Sequence, residues 1–252
     1  MINEIFIPNY SIMVIGSKQP GNFPQSFEQI ALNLIHKLVN ITASAFYLLN
    51  ADMRRRGVAV YNTEEEVVEE YHEYFREIDP LNPDKFQETN EQIVCIDEEI
   101  SFEKLQKTRF YRQFMRPNNF RYTVDMFLRR EGEIVAVISM LRDDSMSAFS
   151  EGELELLRSL QPFMEYTLNS VYLPKRTAER TSLQKKYKLT PRELDVVELI
   201  IAGSSNKGIS NELNLSLSTV KTHLLHIFQK IDVVSRADLL SRIISDLTAK
   251  DI

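Results

Sequence analysis

The chain has 252 residues, enough for two domains, with 43% hydrophobic residues, 26% charged residues and a formal net charge of −6. It contains no apolar run near the roughly 20 residues of a membrane span, and its N-terminus lacks the basic and apolar regions of a signal peptide. One cysteine, Cys95, excludes an internal disulfide framework, and the four histidines lack metal-ligand spacing. We therefore expect a cytoplasmic protein with no cofactor, no metal and no membrane partner.

The charge is unevenly distributed along the chain. Residues 174–252 hold 13 basic and 9 acidic side chains, a net charge of +4, whereas residues 1–173 hold 17 basic and 27 acidic ones, a net charge of −10. The overall acidity argues against a nucleic-acid partner. A small basic domain beside a large acidic one, however, is typical of a DNA-binding module joined to a domain that does not bind DNA.

The first elements in chain order are a helix and two strands. Residues 11–15 form a strand or a helix end, and residues 26–39 carry apolar side chains at helical spacing. Two strands are predicted at 45–49 and 57–61, with a hairpin between them. Three arginines at 54–56 lie in this hairpin, and a solvated turn is favoured there over a phosphate site.

The next elements up to residue 173 alternate between helices and strands. They are a helix over 63–78 that begins at Thr63 as its cap, a strand at 93–96, a helix over 101–115, strands at 122–129 and 134–141 joined by a hairpin, and a helix over 150–168. Pro162 lies inside the last helix and should bend it or part it in two. Five strands with flanking helices, mostly connected as hairpins, predict an α+β domain built on an antiparallel sheet, similar to GAF and PAS domains.

The C-terminal region begins with strong helix signals. Thr190, Pro191 and Glu193 have the spacing of a capping box with proline at its permitted first position, and Gly203 provides a stop. A second short helix is predicted over 205–213. Asn214 after it suits the left-handed conformation of a tight turn.

The helix predicted over 216–231 has an apolar stripe on one face and polar side chains on the other. Ser216 or Ser218 is expected to cap it. Its outer face carries Lys221, Thr222, His223, Leu225 and His226. Such a face suits the major groove of DNA, although an ordinary amphipathic surface helix has the same pattern.

Four blocks in register carry a family resemblance: Leu-Thr-Pro-Arg-Glu at 189–193, Gly-Ser-Ser-Asn-Lys at 203–207, Ser-Thr-Val-Lys-Thr-His at 218–223 and Lys-Ile-Asp-Val-Val-Ser-Arg at 230–236. Together they resemble the LuxR-type helix-turn-helix domain. The resemblance implies a four-helix fold whose third helix, about 218–230, recognises double-stranded DNA.

The resemblance also implies roles for single residues. Lys221 and Thr222 stand where the family reaches bases, and Lys207 and His223 where it meets phosphates. Positions 225 and 226 are more variable contacts. Ser218 and Thr219, at the start of the helix, complete the expected DNA-binding set.

Three residues depart from the family pattern. Gly208 replaces an acid that would close a capping box with Ser205, at a cost of roughly 1 kcal/mol in helix propensity. Asp232 replaces a glycine, so that turn is expected to be tight or strained. Leu225 replaces a lysine of some relatives and removes one cationic contact, which should flatten the salt dependence.

These observations predict three segments: a GAF-like sensor domain over 1–173, a basic linker over 174–188, and the helix-turn-helix domain over 189–252. The last helix begins near Ser235 and has a wide apolar face. Part of this face must close the small core, and the resemblance implies that the rest forms a homodimer contact. A dimer would bind a roughly palindromic site.

Several alternatives concern the first domain. Tyr71, Tyr74 and Asp79-Pro80 resemble the Tyr…Asp-Pro run of acyl-homoserine-lactone receptors, but those pockets use tryptophan, and this chain has none. The simpler interpretation is that Asp79-Pro80 ends a helix. A phospho-receiver with Asp52 lacks the acidic pair near the first strand and the alternating βα pattern.

An enzyme built on Cys95, His72 and Asp97 lacks any nucleophile elbow, phosphate loop or metal box. The many aromatic residues leave a small-molecule pocket open.

The sequence as a whole predicts a non-enzymatic transcriptional regulator that binds specific DNA and whose first domain senses a small molecule or a partner. The alternative is a ligand-binding or interaction protein whose helix-turn-helix contacts proteins instead of DNA.

Overall fold

A computed structural model describes residues 27–49, 53, 55–201 and 203–248 of the chain. The elements predicted at 11–15, Arg54 of the arginine hairpin and the phospho-acceptor candidate Asp52 lie outside these residues. The described residues form three hydrophobic clusters, two of them on opposite faces of a sheet and one among the C-terminal helices.

The sheet has five antiparallel strands in the order β2-β1-β5-β4-β3. The strands are β1 Ala43–Leu49, β2 Arg55–Tyr61, β3 Ile93–Cys95, β4 Tyr122–Arg130 and β5 Glu133–Arg142. Glu131 and Gly132, both with positive φ, connect the paired residues Arg130 and Glu133. This is the two-residue hairpin that the sequence predicted.

The helices account for most of the remaining described residues. They are α1 Phe27–Leu38, α2 Glu65–Glu70, α3 Ile96–Glu99, α4 Phe102–Leu105, α5 Glu151–Thr167, α6 Leu173–Tyr187, α7 Pro191–Ile201, α8 Asn206–Leu213, α9 Leu217–Ile231 and α10 Arg236–Thr248. Irregular helical turns lie at Tyr71–Phe75, Arg76–Ile78, Pro83–Phe86, Tyr111–Met115 and Leu168–Tyr172. No helix among the described residues is long and apolar enough to span a membrane.

Both faces of the sheet are covered, as the alternation of side chains along β4 shows. Val124 and Met126 pack with α1 and α5, whereas Phe127 packs with the helices and turns between β2 and β4. A strand sends successive side chains to opposite faces, so Asp125 shares the face of Phe127. The predicted α+β fold, an antiparallel sheet flanked by helices, is confirmed.

In the sheet domain, some helix ends agree with the predictions from the sequence and others do not. Ser150 and Glu153 form a complete capping box at the start of α5. Pro162 does not part α5, which continues to Thr167 before the irregular turn begins. Thr63 does not cap α2: Glu64 occupies the cap position without a side-chain hydrogen bond.

The segment predicted as a linker, 174–188, is helical and belongs almost entirely to α6. The side chain of Leu183, in this segment, is buried in the hydrophobic cluster among the C-terminal helices. Two of its cations are engaged inside the protein: Arg176 pairs with Glu198 at 3.0 Å and Arg180 with Asp195 at 3.0 Å. These pairs dock α6 on α7, so these two arginines are not available for the DNA backbone.

Candidate nucleic-acid interface

The four C-terminal helices α7 to α10, with the end of α6, enclose their own hydrophobic cluster. Its fully buried members include Val197, Ile200, Ile209, Val220 and Ile227. Each of α7, α8 and α9 contributes to it. The predicted stripes of these helices therefore form one core, and the outer faces are left for solvent.

The start of α7 is fixed by the predicted capping box. The Thr190 N–H donates to Glu193 Oε2 at 2.7 Å, and the Glu193 N–H donates to Thr190 Oγ1 at 3.2 Å. The same Glu193 carboxylate pairs with Lys230 Nζ at 2.6 Å, and the residue is only 3% exposed. Glu193 therefore ties the start of α7 to the end of α9.

The electrostatics of Glu193 support this role. Burial would raise the pKa of its carboxyl, but the hydrogen bonds from Lys230 and Thr190 outweigh burial and hold the pKa below its usual range. The carboxylate is thus charged at neutral pH. The sequence marked Glu193 only as a cap, because its second partner, Lys230, is distant along the chain.

The turn between α8 and α9 is also built as the sequence predicted. Ser205 caps α8 by accepting a hydrogen bond from the Gly208 N–H at 3.1 Å, and Gly208 has no side chain that could close the box. Asn214 is left-handed, with φ 51°. The Leu215 N–H then donates to Ser210 O at 2.9 Å, which completes a tight helix-turn-helix connection.

The start of α9 carries a cluster of hydroxyls. Ser216, rather than Ser218, is the cap residue, and its Oγ accepts from the Thr219 N–H at 3.1 Å. The same oxygen lies 2.7 Å from Ser218 Oγ and 2.8 Å from Thr219 Oγ1. Three exposed hydroxyls at the positive end of a helix dipole suit an anion such as a DNA phosphate.

The residues expected to contact DNA fall on the outer face. Val220, Ile227 and Ile231 of α9 are buried. The exposed members of the expected set are Lys207, Ser218, Thr219, Lys221, Thr222, Leu225 and His226, and His223 is half-buried at the edge. The structure therefore brings all eight residues to one helix-turn-helix unit and leaves seven of them exposed.

Lys221 is the most informative member of this set. Within the described part of the chain it makes no hydrogen bond or ion pair, whereas Lys230 on the same helix is paired with Glu193. Leu225, one turn further along the helix, is 56% exposed. An exposed cation and an exposed apolar side chain on one face are the groups that meet a guanine edge and a thymine methyl.

The end of α9 has the tight turn that was predicted where Asp232 replaces the glycine of the family pattern. Asp232 adopts the left-handed conformation with φ 58°, and the Val233 N–H donates to Phe228 O at 3.0 Å. Glycine is the usual residue at this position, because a side chain there is strained and a carboxylate faces the negative end of the dipole. The tight turn exists despite both costs.

The last helix, α10, uses more of its apolar face in the core than the sequence indicated. Leu239 and Ile243 are buried, and Leu240 and Leu247 are partly buried against the same cluster. Its Asp246 pairs with Lys186 of α6 at 2.5 Å. Little of the apolar face of α10 is left for a dimer contact.

The enzyme alternative has no support in the sheet domain. Burial raises the pKa of the Cys95 thiol to about 12, so almost none of it is thiolate at neutral pH. Asp97 pairs with Arg121 at 2.9 Å, and the His72 ring packs edge-on against Tyr71. Among the described residues, no group of three His, Cys, Asp or Glu side chains could hold a metal ion.

The Tyr…Asp-Pro run proves to be more than a helix end. Asp79 is buried, and its carboxylate accepts from Tyr71 Oη at 2.6 Å and from the Leu81 N–H at 2.8 Å. Tyr74 does not join this group, since it is 54% exposed. A second acid, Asp125, is also buried, and its place as a lone carboxylate in an apolar strand is the one feature of the sequence that could have pointed to it.

Comparison with known proteins agrees with the architecture of the C-terminal unit. Residues 187–243 match the family described as bacterial regulatory proteins, luxR family. The monoamine regulon transcriptional regulator of Klebsiella aerogenes is 33% identical over 215 residues, which are 84% of this chain and 87% of that protein. The nitrate/nitrite response regulator protein NarL of Escherichia coli is 32% identical over 124 residues, which cover 48% of this chain and 54% of that protein.

Similar solved structures include Escherichia coli SdiA, with 18% identity, a TM-score of 0.39 and coverage of 91% of this chain and 93% of that one. A GAF domain/HD domain protein from Geobacter sulfurreducens has 14% identity, a TM-score of 0.44 and coverage of 58% of this chain and 94% of that one. The match to the family model and the extensive identity with the Klebsiella regulator decide the assignment. The chain belongs to the luxR family of bacterial transcriptional regulators and binds DNA.

Proposed function

We propose that the protein is a homodimeric cytoplasmic regulator that reads a specific DNA site with the outer face of α9 and responds to a small molecule in its sheet domain. The division into a sensor domain over 1–173, a connecting segment over 174–188 and a DNA-binding domain over 189–252 is part of this proposal. The observation that carries it is Lys221, which is exposed and makes no hydrogen bond or ion pair among the described residues, on a helix whose ends are anchored by Ser216 and Glu193.

We assign the roles along α9 by position and chemistry. Lys221 and Thr222 lie where side chains would reach base edges, and Leu225 and His226 extend that contact one turn further. Ser218 and Thr219 would hold a phosphate at the helix start, with Lys207 and His223 on the adjacent backbone. Leu225 would contribute an apolar contact in place of a cation.

The dimer contact is proposed for the sheet domain. Helix α5 and the turn after it carry large apolar side chains on the surface: Leu156, Phe163, Tyr166 and Val171 are 39%, 62%, 67% and 59% exposed. Exposed aromatic side chains in a row are characteristic of protein interfaces. Most apolar side chains of α10 pack in the core of the helical part, so α5 is the better candidate for the dimer contact. Two copies joined through α5 would present two α9 helices to a palindromic DNA site.

A gel shift at two salt concentrations tests the proposal. DNA fragments from upstream of the protein's own gene and of amine-metabolism genes are the first to try, since the name of the Klebsiella relative refers to a monoamine regulon. We expect a discrete retarded band for a subset of fragments at low salt, weakened as salt rises.

The rival function makes the opposite prediction. If the helix-turn-helix serves protein contacts, no fragment is retarded even at low salt. The exposed apolar Leu225 favours this rival more than any other described residue on α9. Retardation of every fragment equally would mean binding through charge alone, without sequence recognition.

A further inference from the structure

The sheet domain contains an incomplete polar cluster on the face of the sheet that carries Phe127. It consists of Tyr47 on β1, Tyr71 on the turn after α2, Asp79 in the following loop and Asp125 on β4. Asp79 is 7% exposed and Asp125 is 3% exposed. Two buried carboxyls on different elements are expensive unless each is neutral or paired.

The two acids differ in how well they are satisfied. Both oxygens of Asp79 accept hydrogen bonds, one from Tyr71 and one from the Leu81 N–H. Lys85 donates to the backbone carbonyl of Asp79 at 2.5 Å, so a cation also lies nearby. Asp125 Oδ1, in contrast, is buried and has no hydrogen-bond partner among the described residues.

The surroundings of Asp125 do not supply a counter-charge. Burial and the neighbouring Asp79 raise the pKa of its carboxyl well above the usual value, and a hydrogen bond with Ser139 opposes them. The same Ser139 hydrogen bonds to Tyr47, whose pKa burial and Asp125 raise. The described part of the sheet domain therefore holds a carboxyl that lacks a donor on one oxygen and is disfavoured as an anion.

Aromatic rings flank these carboxyls. The Tyr71 ring lies 5.4 Å from Phe114, 6.4 Å from Phe110 and 5.1 Å from His72, and the His72 ring lies 6.4 Å from Tyr47. Aromatic faces combined with a desolvated carboxylate attract organic ammonium groups through cation–π and charge-assisted hydrogen bonds. A metal ion is a poorer match, since it would need further oxygen or nitrogen ligands.

We propose that the cluster of Tyr47, Tyr71, Asp79 and Asp125 binds a small molecule through its protonated amine, with Asp125 as the principal partner of the ammonium. The aromatic rings hold the apolar body of the molecule. The amine supplies the donor that Asp125 Oδ1 lacks, and Tyr71 and the Leu81 N–H keep Asp79 in place beside it. This inference rests on the proposed sensing role of the sheet domain and names the class of ligand.

Matched pairs of ligands test the inference on the full chain. The probes are 2-phenylethylamine with 2-phenylethanol, and benzylamine with benzyl alcohol, which differ in charge but hardly in shape. We expect at least one amine to raise the Tm at millimolar concentration while its alcohol does not. Equal shifts by an amine and its alcohol, or no shift by either amine, would overturn the inference.

A pair of variants tests the residue. Asp125→Asn keeps the shape but removes the charge, and it should weaken amine binding about ten- to a hundredfold, the loss of one charge-assisted hydrogen bond. Asp144→Asn removes the same charge from an exposed loop position and should bind amine as the wild type does. Unchanged binding by Asp125→Asn would contradict the assignment. If that variant does not fold, the comparison of amines with alcohols on the wild type decides alone.

A gel shift on the same preparations separates this inference from the proposed function. A protein that retards its DNA fragment but ignores both amines contradicts the amine site alone. A protein that binds an amine but retards no fragment contradicts the proposed DNA recognition and leaves the amine site standing.

Discussion

Buried acids behave in opposite ways in the two parts of the molecule. In the sheet domain, burial raises the pKa of Asp79 and Asp125, and for Asp125 the other acid adds to the rise. In the helical part, burial also acts to raise the pKa of Glu193 and Glu198, but lysine or arginine partners outweigh it and lower both values. In the helical part both acids have cationic partners, whereas in the sheet domain no described cation pairs with Asp125.

This difference indicates where each part meets its partner. The acids Glu193 and Glu198 of the helical part are paired within it, and Lys221, which makes no hydrogen bond or ion pair among the described residues, remains outside for an anion such as DNA. The sheet domain leaves a polar cluster unsatisfied inside, where a small ligand would complete it.

Glu193→Ala should destabilise the helical part by about 2–4 kcal/mol, because it removes a cap and leaves Lys230 without its partner. Thermal unfolding followed by circular dichroism measures the loss. Glu193→Gln keeps the shape without the charge and should lose less. If both variants unfold like the wild type, Glu193 does not tie α7 to α9.

Lys221→Ala should weaken binding to specific DNA by about 1–3 kcal/mol, the usual value of one base contact, and weaken binding to random DNA much less. Fluorescence anisotropy with both DNAs measures the two affinities. Lys185→Ala, an exposed cation of α6, is the matched control. Equal losses on both DNAs would make Lys221 a phosphate contact instead.

The charge of Asp125 should appear in the pH dependence of stability. Its folded pKa lies above the unfolded value, so its contribution is fully present below about pH 4 and is lost as pH rises through the folded pKa, by up to about 1.4 kcal/mol per pH unit. Asp125→Asn should remove this decline.

The measurement is denaturant unfolding of the wild type and Asp125→Asn from pH 4 to 8. Their difference cancels His36, whose pKa burial lowers to about 4 and which acts with the opposite sign, losing stability as pH falls. Parallel curves for the two proteins would contradict a raised pKa of Asp125 in the folded state.

Asp232→Gly should stabilise the protein by about 0.5–1 kcal/mol, since glycine adopts the left-handed conformation without strain and removes a charge from the negative end of α9. Asn214→Gly, at the other left-handed cap, should change stability by only a few tenths, because asparagine tolerates this conformation. Chemical denaturation measures both. A loss of stability in Asp232→Gly would mean that the carboxylate has a favourable partner.

Local rules made the helix-turn-helix and most of the sheet predictable. The capping box of Thr190 and Glu193 spans only three positions, and the tight turn depends on Asn214 alone. Both signals can therefore be recognised from a few neighbouring residues. Alternation along 122–129 and 134–141 likewise predicted the long hairpin. The expected DNA contacts followed from the outer face of α9, and they stay predictions until binding is measured.

Features that depend on distant contacts were not predictable. Residues 174–188 read as a basic linker because Glu198 and Asp195, which pair with its arginines, follow in another helix. Asp125 carries no local sign that its oxygen would lack a partner. Pro162 was expected to bend α5 or part it in two, and α5 is not parted: Leu154, Leu157 and Met164, on both sides of the proline, pack in one cluster with the sheet.

Site-directed cross-linking tests the central claim most directly, because Cys95, the chain's one cysteine, is buried and resists labelling. A photoactivatable group would be attached to His226→Cys on α9 and, as a control, to Glu155→Cys on α5. We predict cross-links to a retarded DNA fragment from position 226 and none from position 155. Efficient cross-linking from position 155 without any from position 226 would contradict the assignment of α9 as the DNA-binding helix.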